Sequence, residues 1–451
     1  MHKQKRGKSC IFLFLCLFLQ HNEKEAVKQM KTKNYLFWLL MMLLYAVTNN
    51  VLADNKSHAP MTGYLLYDNT TSPIPYRIPA IACTRNGDLI ALSDYRQGKR
   101  DIGYGAVDVY ARISRDNGNT WGAPFCLAGS KAVSGSDNRY YGDASIIADR
   151  EHDEVLVMLV SGTVGFPRST REEPVRMASM RGHYDRVTGE WKWTRPMDIT
   201  TVIYDKLPQV KALFFSSGRI CQSTRIKVGS HYRLYAGLCV RTMTEKMNAN
   251  YVMYSDDFGK SWNVLGGEDR PALRNGDECK CEELPDGNVL LSSRVNKGRT
   301  WNIFTYEDRS AATGHWGIGQ MPDDTNSGIY NADDQNACNG EILIVDAIRL
   351  SDHTQVKLAL QSVATNRTNV TIWYKPLTET SDYDTPQHFA RAWEGKYQVS
   401  NTSSCYSTMI RQPQGFIGFF FEENAHNSGY DMIYLRMPLE TITHGQYGIK
   451  E

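Results

Sequence analysis

Ser114-Arg115-Asp116-Asn117-Gly118-Asn119-Thr120-Trp121 recurs further along the chain as Ser255-Asp256-Asp257-Phe258-Gly259-Lys260-Ser261-Trp262. Both copies read S-x-D-x-G-x-[ST]-W. Such a stretch is a self-contained turn: the Asp side chain accepts from nearby backbone N–H groups, Gly supplies a positive φ, and Ser or Thr closes the loop. The Trp provides an apolar anchor beneath the hairpin. A worn third copy runs from Asp308 through Gly314 to Trp316. A hairpin motif repeated at non-adjacent intervals is the trace that radially repeated sheets leave in a sequence.

The segments around these turns agree. Leu89–Ser93, Val107–Ile113, Val155–Val160, Tyr232–Leu238, Glu341–Ile348, Val370–Tyr374 and Phe416–Phe421 are short runs of β-branched and aromatic residues. Gly, Asp, Asn and Pro punctuate them, so each reads as a strand. No long, well-capped amphipathic helix interrupts the pattern. Aromatic residues make up 11% of the 451-residue chain, a content that suits strands and a sugar-binding surface equally. No linker or shift in composition follows residue 54, so residues 54–451 read as one all-β domain.

The N-terminal 53 residues are different. They hold eight Lys/Arg and two Glu, a charge of +6, so the remaining chain carries 2 − 6 = −4. That remainder has no Lys/Arg cluster that could track a phosphate backbone, which argues against nucleic acid as a partner. Two apolar runs, Ile11–Leu19 and Tyr35–Val47, fall short of the roughly 20 residues that span a bilayer. Met30-Lys31-Thr32-Lys33, the second run and Val51-Leu52-Ala53 form the three parts of a secretory signal cleaved before Asp54. Residues 1–53 are therefore read as a leader with its functional start at Met30. A longer leader whose first run anchors the chain to a membrane is the other reading. Either way the chain is expected to be exported, to the periplasm, the cell surface or the medium. Eight cysteines follow the leader, an even number that permits disulfides in an exported protein and leaves their pairing open. Cys279-x-Cys281 has neither zinc-site nor redox spacing, and no H-E-x-x-H or EF-hand loop is present, so no metal or other cofactor is expected.

Tyr76-Arg77-Ile78-Pro79 resembles the [FY]-R-I-P signature near the start of sialidase domains, and the S-x-D-x-G-x-[ST]-W turns resemble the Asp boxes of the same family. From about residue 62 to 440 the chain resembles secreted bacterial-type sialidases. The resemblance implies a six-bladed β-propeller. Some 390 residues over six blades give about 65 each, a comfortable size for four strands and their loops.

The resemblance also implies a site. Sialic acid carries a carboxylate on its anomeric carbon, and planar guanidinium groups recognise carboxylates through paired, charge-assisted hydrogen bonds. The family supplies three, from separate strands. Arg77 matches the first, Arg294 in the segment 277–294 the second, and Arg367 in the segment 361–374 the third. Glu422 sits where relatives pair a Glu with the first arginine. A carboxylate nucleophile would be repelled by the substrate's own carboxylate; a neutral phenol activated by a base is not. Ser404-Cys405-Tyr406-Ser407 matches the nucleophile segment, with Tyr406 as nucleophile and Glu278 as its base. Arg96 through Asp101 resembles the loop carrying the general acid, giving Asp101 that role and Arg96 a ring-hydroxyl contact. Asp94 and Asp108 lie close by and stay open as alternative acids. Asp143, in Tyr141-Gly142-Asp143, matches the residue that meets the sugar's N-acyl group.

The implied activity is that of an exo-α-sialidase acting with retention on sialylated glycoproteins, gangliosides and oligosaccharides. Two other functions share these residues or this fold: a trans-sialidase passing the sugar to a galactosyl acceptor, and a propeller that binds sialic acid without catalysis. Taken singly, any one of these Tyr, Glu or Arg residues is more commonly a cross-strand or surface group. Their joint occurrence in family order carries the reading.

Overall fold

The computed structural model of the protein describes residues 61–129, 140–244, 247–321 and 329–449. The expected leader, residues 1–53, lies outside them. Each of the seven stretches read as strands falls within a residue of an observed one. The strands form six sheets, antiparallel except where Gly218–Arg219 pairs in parallel with Tyr141–Ala148, arranged as the blades of a β-propeller. The first blade shows the plan: Tyr76–Cys83, Leu89–Tyr95, Asp108–Ser114 and Phe125–Ala128 pair in that order from the inner edge outward. The second, fourth, fifth and sixth blades begin with Tyr141–Ala148, Cys279–Glu283, Ile342–Arg349 and Ser404–Arg411. In the third, both Val210–Phe215 and Cys221–Val228 pair with His231–Thr242. The ring closes because Thr62–Tyr67, the first described strand, pairs antiparallel with Gly429–Pro438 near the other end of the chain. Helix is confined to short turns such as Thr200–Tyr204 and Leu439–Ile442 among the described residues.

Six apolar clusters lie between neighbouring blades, which explains why the strands are apolar on both faces rather than alternating cleanly. Leu92 and Val109 of the first blade pack with Ile146 and Val157 of the second. Leu343 and Leu358 of the fifth pack with Met409 and Phe419 of the sixth. A blade buries its faces only against its neighbours, so the closing strand stabilises the whole ring.

The repeated turns join the third and fourth strands of the first, third and fourth blades. In the first, Asp116 accepts from the Thr120 N–H at 2.8 Å and the Thr120 hydroxyl at 2.6 Å. Asp257 and Ser261 repeat those bonds at 2.8 and 2.6 Å. The glycines do more than turn the chain. Gly118 and Gly259 have φ of +85° and +79°, and a Cβ would lie 2.3 Å from the Tyr434 hydroxyl oxygen and 2.4 Å from Leu156 Cδ2 respectively. Each turn thus leans on the preceding blade. Trp121 packs edge-on against Tyr434 and Trp262 against Phe215, with ring centroids 5.0 and 5.5 Å apart. In the worn copy Asp308 accepts from Ser310 and Ala311, and the Trp316 indole donates to the Leu265 carbonyl. Because Tyr95 pairs with Asp108 and Leu89 with Ser114, the first repeat lies at the end of its blade opposite Arg96.

Candidate active site

At the other end of the blades, three inner strands carry candidate residues at irregularities in their pairing. Register shifts occur between Arg77 and Ala80, between Gly142 and Ser145, and between Ser404 and Ser407, the last bracketing Tyr406. A bulge re-aims the side chain next to it. The backbone is left-handed at Ile78 (φ 60°) and Asp143 (φ 47°), rare positions for residues with a Cβ and, at Ile78, a β-branched one.

A cavity of about 230 Å³ brings together Arg77, Arg96, Asp101, Asp143, Glu278, Arg294, Arg367 and Tyr406. These come from five blades and include every expected catalytic and substrate-contacting residue; Glu422 lies just behind. Its carboxylate is fully buried and accepts four hydrogen bonds: from Arg77 Nε and Nη2 at 2.7 and 2.9 Å, from the Ile78 N–H at 2.7 Å, and from the Tyr406 N–H at 3.0 Å. Burial raises this carboxyl, but the charge and hydrogen bonds of Arg77 outweigh it and hold it below the usual carboxylate range. One side chain thereby fixes the first arginine, the strained Ile78 peptide and the strand bearing Tyr406.

The Tyr406 hydroxyl donates to Glu278 Oε2 at 2.7 Å, and Arg294 Nη1 donates to the same carboxylate oxygen at 2.6 Å and to the Tyr406 oxygen at 3.0 Å. Burial and then the Glu278 charge push the phenol well above its usual 10, with Arg294 opposing. The resting phenol is neutral, with a base on its proton and a cation beside its oxygen.

Arg367 differs from the expected picture. It lies not on a strand but in the tight turn between Gln355–Thr365 and Thr368–Leu377, where Thr365 pairs with Thr368. Asn366 and Arg367 both have positive φ, 49° and 60°, the two-residue geometry that ordinarily selects Asn-Gly. Its Nε donates to Asn336 Oδ1 at 3.0 Å, and among the described residues no carboxylate pairs with it. Arg77 and Arg294 have their counter-charges in Glu422 and Glu278.

On the opposite wall Arg96 Nη2 bridges Asp101 Oδ1 at 2.7 Å and Asp94 Oδ2 at 3.3 Å. Of the three carboxyls considered for the general acid, Asp101 lines the cavity and its side chain is 56% exposed, whereas Asp94 and Asp108 are buried away from it. Asp94 instead accepts the Asp143 N–H at 2.9 Å, pinning that left-handed residue. Burial raises Asp94 to about 7, helped by the nearby Asp101 charge and against the pull of Arg96. Burial, followed by Asp101 and Asp94, lifts Asp143 well above the carboxylate range. The ligand oxygens of these three acids lie within 4.8 Å of one another, with the Arg96 guanidinium already among them. A second group on that scale, Asp149, His152 and His231, is knitted by hydrogen bonds from both imidazoles and Gln222 to Asp149. Beside Asp143, Ile102, Val160, Val175 and Phe214 give the cavity an apolar wall. Asn336, the positioning role of Asp94 and this wall lie beyond the sequence reading. No local motif marks them, because each acts through a partner distant in the chain.

The fold and cavity define a six-bladed propeller with an arginine-rich pocket around a tyrosine–glutamate pair. No family model matches the chain. Over 227 residues, 49% of the chain, it is 31% identical to a sialidase of Micromonospora viridifaciens, of which the match covers 32%. Over 271 residues, 55% of the chain, it is 23% identical to a sialidase of Paraclostridium sordellii, covering 62%. The chain thus spans less than two thirds of either relative. Its fold matches the intramolecular trans-sialidase of Ruminococcus gnavus with a TM-score of 0.62 and 16% identity, over 84% of this chain and 98% of that one. Over about half its length the chain is thus similar in sequence to these sialidases, and its fold is the six-bladed propeller of the solved neighbours.

Proposed function

We propose that the protein is an exported exo-α-sialidase that releases terminal sialic acid from glycoproteins, gangliosides and oligosaccharides with retention of configuration. The observation that carries this reading is the Tyr406–Glu278 hydrogen bond of 2.7 Å in a pocket where Arg77, Arg294 and Arg367 converge. The guanidiniums take the substrate carboxylate, Arg367 contributing a charge that no carboxylate among the described residues pairs with. Glu278 removes the phenolic proton as Tyr406 attacks the anomeric carbon, and Arg294 stabilises the oxygen as its charge changes. Asp101 gives its proton to the departing glycosidic oxygen, Arg96 orienting it. Water, deprotonated by Asp101, then displaces Tyr406, whose oxygen takes its proton back from Glu278, so two inversions give net retention.

Transfer to a galactosyl acceptor would use the same covalent intermediate. Incubating the purified chain with a fluorogenic sialoside, with and without lactose, separates the outcomes. Hydrolysis yields free sialic acid in both; transfer yields sialyl-lactose when lactose is present. Binding without release of the fluorophore would mark a non-catalytic propeller and refute the proposal.

A further inference from the structure

Cys338 and Cys405 are buried side by side beneath the pocket, their sulfurs 2.8 Å apart, well inside ordinary non-bonded contact. They stand 67 residues apart in sequence and belong to different blades: Cys338 precedes the inner strand of the fifth, and Cys405 lies on the inner strand of the sixth. The two backbones run together there, the Ser407 N–H donating to the Asn339 carbonyl at 3.3 Å. Among the described residues no other two cysteine sulfurs touch. Cys221, Cys239 and Cys279 instead face Glu282, Asp277 and Ser216.

We infer that Cys338 and Cys405 form a disulfide that bolts the fifth blade to the sixth directly behind the catalytic pocket. Its position gives the bond a function. Cys405 adjoins Tyr406, and Arg77 Nη2 reaches its sulfur at 3.7 Å. Two residues before Cys338, Asn336 holds the Arg367 guanidinium. The cross-link therefore ties the strand bearing Tyr406 to the loop that orients Arg367. It acts alongside hydrogen bonds between the same segments, from the Ser407 N–H to the Asn339 carbonyl and from the Thr408 hydroxyl to Glu341.

The chemistry is thiol–disulfide exchange. Two S–H bonds are lost and one S–S bond forms; the two electrons and two protons pass to an oxidised low-molecular-weight disulfide, which becomes two thiols. Burial pushes the Cys338 thiol far above its usual range, so it is a poor thiolate once the blades have closed. The bond accordingly forms during folding and resists exchange afterwards, which marks it as structural rather than as a switch.

The test refolds the full chain from denaturant, in one arm with a mixture of oxidised and reduced glutathione and in the other with excess reductant. Remaining thiols are alkylated under denaturing conditions, and peptides are mapped without reduction. The expected result is a Cys338–Cys405 linked peptide as the main disulfide species in the first arm and none in the second. Cys405→Ser abolishes it, and Cys83→Ser leaves it in place. The oxidised chain should also melt higher than the reduced chain, by about 5 °C for a loop of this length. Recovery of both cysteines as separately alkylated peptides after oxidative refolding overturns the inference, as does pairing of either with a different cysteine. A linked peptide with no rise in melting temperature overturns the bolting role. The wild-type map decides the pairing even if a variant fails to fold, and neither readout depends on sialidase activity.

Discussion

Replacing Glu422 by alanine tests how the pocket is built. The side chain is fully buried and receives two bonds from Arg77 and one each from the Ile78 and Tyr406 amides. Alanine leaves the Arg77 charge without its partner in the interior, a loss of about 3–5 kcal/mol for a broken buried pair. It also strands two buried N–H groups, each costing roughly 1–3 kcal/mol unless water enters. These terms overlap, because water drawn to the guanidinium can reach the amides, so the expected loss is about 4–6 kcal/mol. Urea unfolding followed by tryptophan fluorescence measures it. The pH dependence supplies a second check. The folded-state pKa of Glu422 is depressed, so its contribution is present above the ordinary carboxyl pKa and disappears as pH falls through the depressed value. The gap between wild type and variant should therefore narrow below about pH 4. A variant within about 1 kcal/mol of wild type at pH 7 would refute the reasoning, since no buried, fourfold-bonded carboxylate can be that dispensable.

Asp101→Ala should cost about 10²–10⁴-fold on a natural sialoside, whose sugar leaving group needs a proton, and far less on an aryl sialoside; equal losses on both would remove Asp101 from the acid role. Asp94→Asn tests the buried wall: wild-type Asp94 holds its proton to about pH 7, well above its unfolded value, so it withdraws stability as pH rises from about 4 to 7. Urea midpoints at either end of that range should fall more steeply for wild type than for the variant; parallel behaviour contradicts the assignment. Gly118→Ala should destabilise by roughly 2 kcal/mol or more, as it combines a left-handed backbone with a clash on Tyr434. Gly87→Ala has a similar φ and open space around it, and should lose only about 1 kcal/mol; matching losses would deny the contact between blades.

Much of this architecture is legible in the chain because its signals are local. Turns such as Ser114–Trp121 carry their own hydrogen bonds, and runs such as Phe416–Phe421 announce strands by composition. The pocket is legible only through motif resemblance, since nothing near Tyr406 in sequence reveals that Glu278 will meet its hydroxyl. What stays hidden is what ring closure creates. Asp94 becomes a hub only when the second blade brings the Asp143 amide to it, and Asn336 matters only once the turn at Arg367 is placed beside it. That turn is only weakly marked in sequence: Thr365-Asn366-Arg367-Thr368 lacks the glycine that a left-handed pair ordinarily demands. Tertiary contacts hold Arg367 in a conformation its residue type disfavours, the kind of strain found where side chains must be aimed.

The central claim is that Tyr406, with Glu278 as the base that takes its proton, is the nucleophile of a sialidase. The most direct measurement compares turnover of methylumbelliferyl sialoside by wild type and by Tyr406→Phe, with sialoside binding to each followed by calorimetry. Wild type should turn the substrate over, and the variant should lose at least about 10³-fold, because the ring remains and only the attacking oxygen is gone. Binding should persist, since Arg77, Arg294 and Arg367 are untouched. A wild-type chain that binds the sialoside without cleaving it, or a Tyr406→Phe variant that cleaves it at near wild-type rate, would contradict the claim.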